Sequence, residues 1–261
     1  MEYSLVLGAS GGIGKEFCRQ LLEKGENLII SGRTSNKLEL VKNELETNYK
    51  NAKIVCEPLD LENENDRREF YKKLESQGVI IKGLYYVSGV DTQKAFIKYD
   101  ESKLVMQARV NFEATLSATN FALKNKAKNL KILIVSSACG LTPMPYFSEY
   151  SATKAGLIYF FKALKYELDK SVKITVLCPG SVPTRLDIVE DIKKQGLQGK
   201  LSQKSPSYVV KKALKALEKN KTVCVPGFYN KLTTALAKIT PYKIQAKIIA
   251  KKFKNKEKDA F

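Results

Sequence analysis

Tyr150 and Lys154 stand four residues apart at the start of an amphipathic segment, Tyr150–Leu168, so on a helix they share one face. A phenol beside an ammonium can exchange a proton with a carbonyl or alcohol oxygen. The cation stabilises tyrosinate and draws the phenol pKa down from about 10 toward a working range. Ser137, thirteen residues earlier at the end of an apolar run, supplies a second donor for the same oxygen. The chain has no His, so Ser-His-Asp, Cys-His and His-ligated metal chemistry are excluded. Its five cysteines are scattered without CxxC spacing and read as reduced thiols, which places the expected location in the cytoplasm. The YxxxK spacing selects nothing here, because it recurs at Tyr49/Lys53, Tyr99/Lys103, Tyr166/Lys170 and Tyr208/Lys212. Position selects Tyr150. It follows Ser137 and precedes a Pro179-Gly180 turn.

A second constellation lies near the start. Gly8-Ala9-Ser10-Gly11-Gly12-Ile13-Gly14 joins an apolar run to a helical period. Such glycines allow a tight strand-to-helix turn and close approach of a pyrophosphate to helix amides. The next strand ends Gly32-Arg33, where binding a ribose diol would want a carboxylate and binding a 2′-phosphate wants a cation. The expected cofactor is therefore NADP(H), with Lys15 adding to the field. Asp60 ends the third strand, where a carboxylate suits an adenine amino group or the cap of the following helix.

Alternating elements must position these residues. Short apolar runs at Tyr3–Leu7, Asn27–Ser31, Lys53–Glu57, Gly83–Val87, Leu130–Ser136, Lys173–Cys178 and Thr222–Val225 read as buried parallel strands. Helical periods fill Ile13–Lys24, Ser35–Tyr49, Asn63–Gln77, Glu101–Lys126, Tyr150–Leu168 and Pro206–Lys219. The alternation predicts one domain over 1–261: a Rossmann-type, doubly wound parallel sheet of about seven strands in a three-layer α/β/α fold.

Two segments fall outside that rhythm. Residues 186–204 follow the Pro-Gly turn without clean periodicity and suit a substrate lid. Residues 228–261 hold two amphipathic helices broken at Pro241. Leu232, Leu236 and Ile239 share a face of the first; Ile244, Ile248 and Phe253 lie on one side of the second, opposite lysines. These faces should pack on the domain or a partner subunit, close over the substrate, or touch a membrane surface. The formal charge is +18, and from Gly199 onward sixteen lysines face only Glu218, Glu257 and Asp259. Interleaved aromatics and docking motifs are lacking, so nucleic acid is not an expected partner. No apolar run reaches the length of a membrane span, and the first strand begins too soon for a signal peptide.

Gly8/Gly12/Gly14, Arg33, Asp60, Asn111, Ser136-Ser137, Tyr150-Ser-Ala-Thr-Lys154 and Pro179-Gly180-Ser-Val182-Pro-Thr184 together resemble a short-chain dehydrogenase/reductase over residues 3 to 227. The resemblance implies Ser137, Tyr150 and Lys154 as catalytic residues. Asn111 would hold a water that relays protons to Lys154. The backbone at Val182 and the Thr184 hydroxyl would clamp the nicotinamide carboxamide and phosphates, with Ser10 and Ile13 joining the glycines at the cofactor. Homodimers or homotetramers are implied as well. Val87 stands where most of the family has an Asn, leaving its sheet contacts open to question. Some bacterial bile-acid hydroxysteroid dehydrogenases similarly lack that Asn, and their Gly-x-Gly-Lys-x-Phe-Cys run is echoed by Gly12-Ile-Gly14-Lys15-Glu-Phe17-Cys18. The expected reaction interconverts a ketone and a secondary alcohol on a hydrophobic substrate such as a steroid or bile acid. A 3-oxoacyl thioester reductase and a catalytically silent nucleotide-sensing module are the alternatives.

Overall fold

The computed structural model describes residues 1–254 and 257–259. Its main sheet is built from β1 (Glu2–Leu7), β2 (Leu28–Gly32), β3 (Ile54–Pro58), β4 (Ile80–Tyr86), β5 (Lys126–Val135), β6 (Val172–Leu177) and β7 (Val223–Cys224). All seven are parallel in the order 3-2-1-4-5-6-7. The order reverses at β1, which opens a crevice at the carboxyl ends of β1 and β4. Central strands are apolar on both faces because helices cover both sides; Leu5, Val6 and Leu7 are fully buried in β1.

On one face lie α1 (Gly12–Leu22), α2 (Ser35–Asn48) and α9 (Pro206–Glu218), which pack Phe17, Leu21, Leu38, Val210 and Leu214 around Tyr85 and Leu133. On the other lie α3 (Glu64–Ser76), α4 (Glu101–Ala108), α5 (Ala114–Lys124) and α6 (Ser148–Glu167). Their core includes Phe70, Tyr71, Phe121, Leu157 and Phe161. Buried positions in α1 recur at Gly14, Phe17, Cys18, Leu21 and Leu22, the period of a one-sided helix.

The predicted helix over 101–126 is divided. A π-helical turn, Arg109–Glu113, separates α4 from α5, and β5 already begins at Lys126. The 186–204 segment is two helices, α7 (Leu186–Lys194) and α8 (Gly196–Ser202). The tail forms α10 (Phe228–Ile239) and α11 (Tyr242–Phe253), split at Pro241 as its period predicts. Their apolar faces do not pack on the domain: Leu232, Leu236, Ile239, Ile244 and Ile248 are exposed. Beyond α11 the backbone returns to the sheet's carboxyl end, where Lys258–Asp259 pairs antiparallel with Thr92–Gln93.

Candidate active site

At the crevice, the β1–α1 turn is shaped by contacts that only glycine permits. Gly8 has φ +92°, and a methyl group there would lie 2.7 Å from the Ser88 nitrogen. A methyl on Gly14 would meet the Gly8 carbonyl oxygen at 2.0 Å, so α1 begins directly on the strand-end backbone. Gly11 caps α1 without a side-chain hydrogen bond, which leaves its first amides and positive dipole end for an anion. Across the crevice stands Thr184: a methyl on Gly12 would reach its Cγ2 at 2.9 Å. The glycine turn and the segment after β6 therefore face each other, 172 residues apart in sequence. Val182 is buried, and its carbonyl accepts from the Thr184 amide at 2.9 Å. Ile13 packs partly into the core behind the turn.

At the end of β2, the Ser10 hydroxyl lies beside Gly32, 3.3 Å from a methyl placed there. Arg33 is exposed and has no ion-pair partner among the described residues. Lys15 is different. It pairs with Glu44, so it adds little net positive field. Asp60 accepts the Glu62 amide at 3.0 Å in a turn, while the cap of α3 is Asn63. A glycine cradle, uncapped helix amides and an unpartnered guanidinium form a donor set that fits a phosphorylated dinucleotide.

The chemical end is assembled by α6 packing on the turn after β5. Ser136 donates to the Lys154 carbonyl at 2.8 Å. Gly140, in the short 3₁₀ turn Ala138–Leu141, would place a methyl 2.7 Å from the Lys154 carbonyl carbon. These contacts place the turn that holds Ser137 against α6, where the Tyr150 ring stacks on Phe147 at 4.5 Å. Lys154 is 3% exposed; its Nζ donates to the Val135 carbonyl at 3.1 Å and lies 5.7 Å from the Tyr150 ring centre.

Asn111 sits in the π turn and is fully buried. Its Nδ2 donates to the Val90 carbonyl and its Oδ1 accepts the Val90 amide, both at 2.8 Å. The residue thus fixes the loop after β4. In that loop, a methyl on Gly89 would fall 3.0 Å from Lys154 Nζ and 3.3 Å from Asn111 Oδ1. Gly89 keeps the space between those two polar groups clear. Val87 does not break the sheet end: its amide and that of Ser88 both donate to the Leu7 carbonyl, at 2.8 and 3.1 Å.

A family model described as short chain dehydrogenase matches residues 2–195. The chain belongs to that family.

Among curated short-chain dehydrogenases, an 11-beta-hydroxysteroid dehydrogenase-like 3 of Arabidopsis thaliana is 30% identical over 203 residues, 76% of this chain and 65% of that protein. A very-long-chain 3-oxoacyl-CoA reductase of Neurospora crassa is 31% identical over 194 residues, 70% and 57% of the two chains. The 3-oxoacyl-[acyl-carrier-protein] reductase FabG of Rickettsia typhi is 27% identical over 212 residues, 80% of each. The alignment to the first two spans less than two thirds of their length. In fold, the chain superposes on a 7beta-hydroxysteroid dehydrogenase with TM-score 0.85, 21% identity, and 95% and 96% of the two chains covered. A short-chain dehydrogenase from Sphingobium yanoikuyae solved in complex with NADPH gives a TM-score of 0.74 at 19% identity, over 92% and 97% of the chains. Nicotinamide cofactors are the currency of this family.

This short-chain dehydrogenase also brings together two charged residues that no spacing in the sequence singles out. Asp91 follows the Gly89-Val90 loop and Arg185 follows Thr184; their side chains pair at 3.4 Å across the site, and Arg185 also contacts Asp187 at 3.2 Å. Burial pushes the Tyr150 phenol well above its ordinary range, and Cys139 and Asp91 push it the same way; Ser137 and Arg185 oppose them. Desolvation, and not the lowering expected from the Lys154 ammonium, therefore governs the phenol in the chain alone. Asp91→Asn removes a negative charge that disfavours tyrosinate. The pH midpoint of kcat/KM for alcohol oxidation should fall by about half a unit to one unit; an unmoved midpoint would refute the coupling.

Burial also pushes Lys154 down to about 8, with Asp91 and Cys178 opposing. The unfolded chain binds this proton up to about pH 10.4. Folding therefore carries a penalty that is full below about pH 8 and fades as pH rises toward the unfolded value. Lys154→Met should raise the melting temperature at pH 7 by several degrees, on the order of 2 kcal/mol, with the gain shrinking by pH 10. A gain independent of pH would show packing, not ionisation, as its source.

Proposed function

We propose that this short-chain dehydrogenase is an NADP(H)-dependent oxidoreductase interconverting a ketone and a secondary alcohol on a hydrophobic substrate, a steroid or bile acid by preference. The observation that carries the reading is the convergence of Ser137, Tyr150 and Lys154 at the carboxyl end of the sheet, facing the β1–α1 glycine turn across one crevice. When bound there, the nicotinamide supplies or accepts hydride, and its oxidised ring carries a positive charge. Tyr150 donates a proton to the carbonyl oxygen in reduction and takes one from the alcohol in oxidation. Ser137 donates a hydrogen bond to that same oxygen. Lys154 restores the Tyr150 proton and, when charged, stabilises tyrosinate. Asn111 positions the Val90 loop so that Gly89 leaves Lys154 Nζ open to the relay.

Gly8, Ser10, Gly12, Ile13 and Gly14 would hold the pyrophosphate end of the cofactor, Asp60 the adenine, and Val182 with Thr184 the nicotinamide end. Arg33 favours NADP(H) over NAD(H). The presence of Asn111, Ser137, Tyr150 and Lys154 together argues against a silent nucleotide-sensing module. Steroid chemistry is supported by relatives such as the Arabidopsis protein and the 17-beta-hydroxysteroid dehydrogenase type 3 of Rattus norvegicus, 31% identical over 70% of this chain. A 3-oxoacyl thioester reductase is the second reading, favoured by the fungal and rickettsial relatives. Exposed Tyr159 and Tyr166 on α6 support a homo-oligomer, which sedimentation would test. The deciding experiment follows NADPH consumption with ketosteroids, 3-oxoacyl thioesters and small aromatic ketones. Turnover with ketosteroids at least about tenfold above thioesters in kcat/KM is expected. The reverse order would install the second reading, and no turnover with any class would remove both.

A further inference from the structure

Helices α10 and α11 present to solvent what a globular protein normally hides. In α10, Phe228, Leu232, Ala235, Leu236 and Ile239 fall within one narrow arc at helical spacing, and that arc points outward. Phe228 is 81% exposed, Leu236 50% and Ile239 79%; Ile244 and Ile248 continue the apolar surface on α11. The helices are held by their other sides. Asn230 is buried and donates to the Ser202 and Pro226 carbonyls at 3.0 and 2.9 Å, and Gln245 donates to the Ala237 and Thr240 carbonyls at 2.6 Å. The outward stripe is thus built into a docked helix and is not a frayed end.

Charge decides what would cover it. Between residues 228 and 254 there are seven lysines and no Asp or Glu. Lys231 and Lys238 border the α10 stripe on one side; on α11, Lys243, Lys247 and Lys251 do not stand opposite Ile244 and Ile248, as the sequence reading has them, but share one exposed face with them. At the start of α10 an open cavity of about 440 Å³ is lined by Lys212, Lys215, Lys219, Lys221 and Lys231, by Tyr208 and Phe228, and by no acidic side chain. A second copy of the chain would bring two such lysine sets together without a counter-charge. A bilayer with anionic headgroups satisfies both features at once: the acyl boundary takes the apolar stripe and phosphates take the lysines.

We propose that α10, α11 and the lysine-lined cavity form a docking surface for an anionic lipid bilayer. The surface carries the α7–α8 segment with it, since Lys252 of α11 contacts Gln195 and Gln198 at 3.2 and 3.0 Å and Asn230 holds Ser202. Docking would set the predicted substrate lid against the membrane. The inference does not depend on which substrate is reduced.

The test is co-sedimentation of the full chain with phosphatidylcholine vesicles, with and without 30 mole per cent phosphatidylserine (on the order of the anionic content of a charged leaflet). Binding to the phosphatidylserine vesicles only, weakening as salt rises, is the expected result. Leu232→Glu with Leu236→Glu should cut vesicle affinity about tenfold or more, since both apolar side chains leave the bilayer. Lys231→Gln with Lys247→Gln should lower it about fivefold per lysine. These side chains are exposed, so helix content and melting temperature should not change, which separates docking from misfolding. Failure of the intact chain to bind at low salt overturns the proposal. So does binding that survives both double substitutions, or a dimer that Leu232→Glu with Leu236→Glu dissociates while vesicles remain unbound.

Discussion

Tyr150→Phe should lower kcat by about 10³-fold while NADPH affinity changes less than about threefold. The phenol oxygen is the proton donor in the proposed reaction, and Phe keeps the ring stacked on Phe147. The site offers few substitutes: the Ser137 hydroxyl is a far weaker acid than a phenol, and the Lys154 ammonium donates to the Val135 carbonyl. Stopped-flow hydride transfer with a ketone substrate, beside fluorescence titration of NADPH, reads the two quantities separately. A variant within tenfold of the parent would sink Tyr150 as the acid. Equal loss of cofactor binding would assign it a binding role instead.

Arg33→Ala should weaken NADPH by about 100-fold and NADH by less than about twofold. The basis is the strength of charge-assisted hydrogen bonds between a guanidinium and a phosphate dianion. Arg33 is exposed at the end of β2, and the Ser10 hydroxyl beside Gly32 shares that end of the crevice. Loss of its side chain removes no core packing, so stability should hold. Kd values for both cofactors at fixed salt test it, and equal weakening would refute the 2′-phosphate assignment. Lys15→Ala should have a much smaller effect, because Glu44 already neutralises that ammonium.

Much of this was legible in the chain because the signals were local. Seven apolar runs of strand length and the helical periods between them dictate a doubly wound sheet, since parallel strands need crossovers and helices need one buried face. Gly8, Gly12 and Gly14 between strand and helix, and Arg33 at the next strand end, read as a phosphate cradle with a cation. Departures arose where the controlling force was not local. The π turn at Arg109–Glu113 leaves no period of its own, yet it aims Asn111 at the Val90 backbone. Residues 186–204 showed no clean period; as α7 and α8 they bury Ile192 and Gly199.

By itself, then, the sequence determined the sheet, its helices, the residue types available for proton transfer and the sign of charge at the end of β2. Tertiary structure decided how the Tyr150/Lys154 pair, already singled out by its place in the chain, is seated against the strand-end serines, through Gly140 and Ser136 packing on the α6 backbone. It decided that Asp91 and Arg185 meet across the site, 94 residues apart, and that burial is what pushes the Tyr150 phenol up. It also turned the apolar stripe of α10 outward. Periodicity reports that a helix has an apolar face, but only the packing of Asn230 and Gln245 fixes which way that face points.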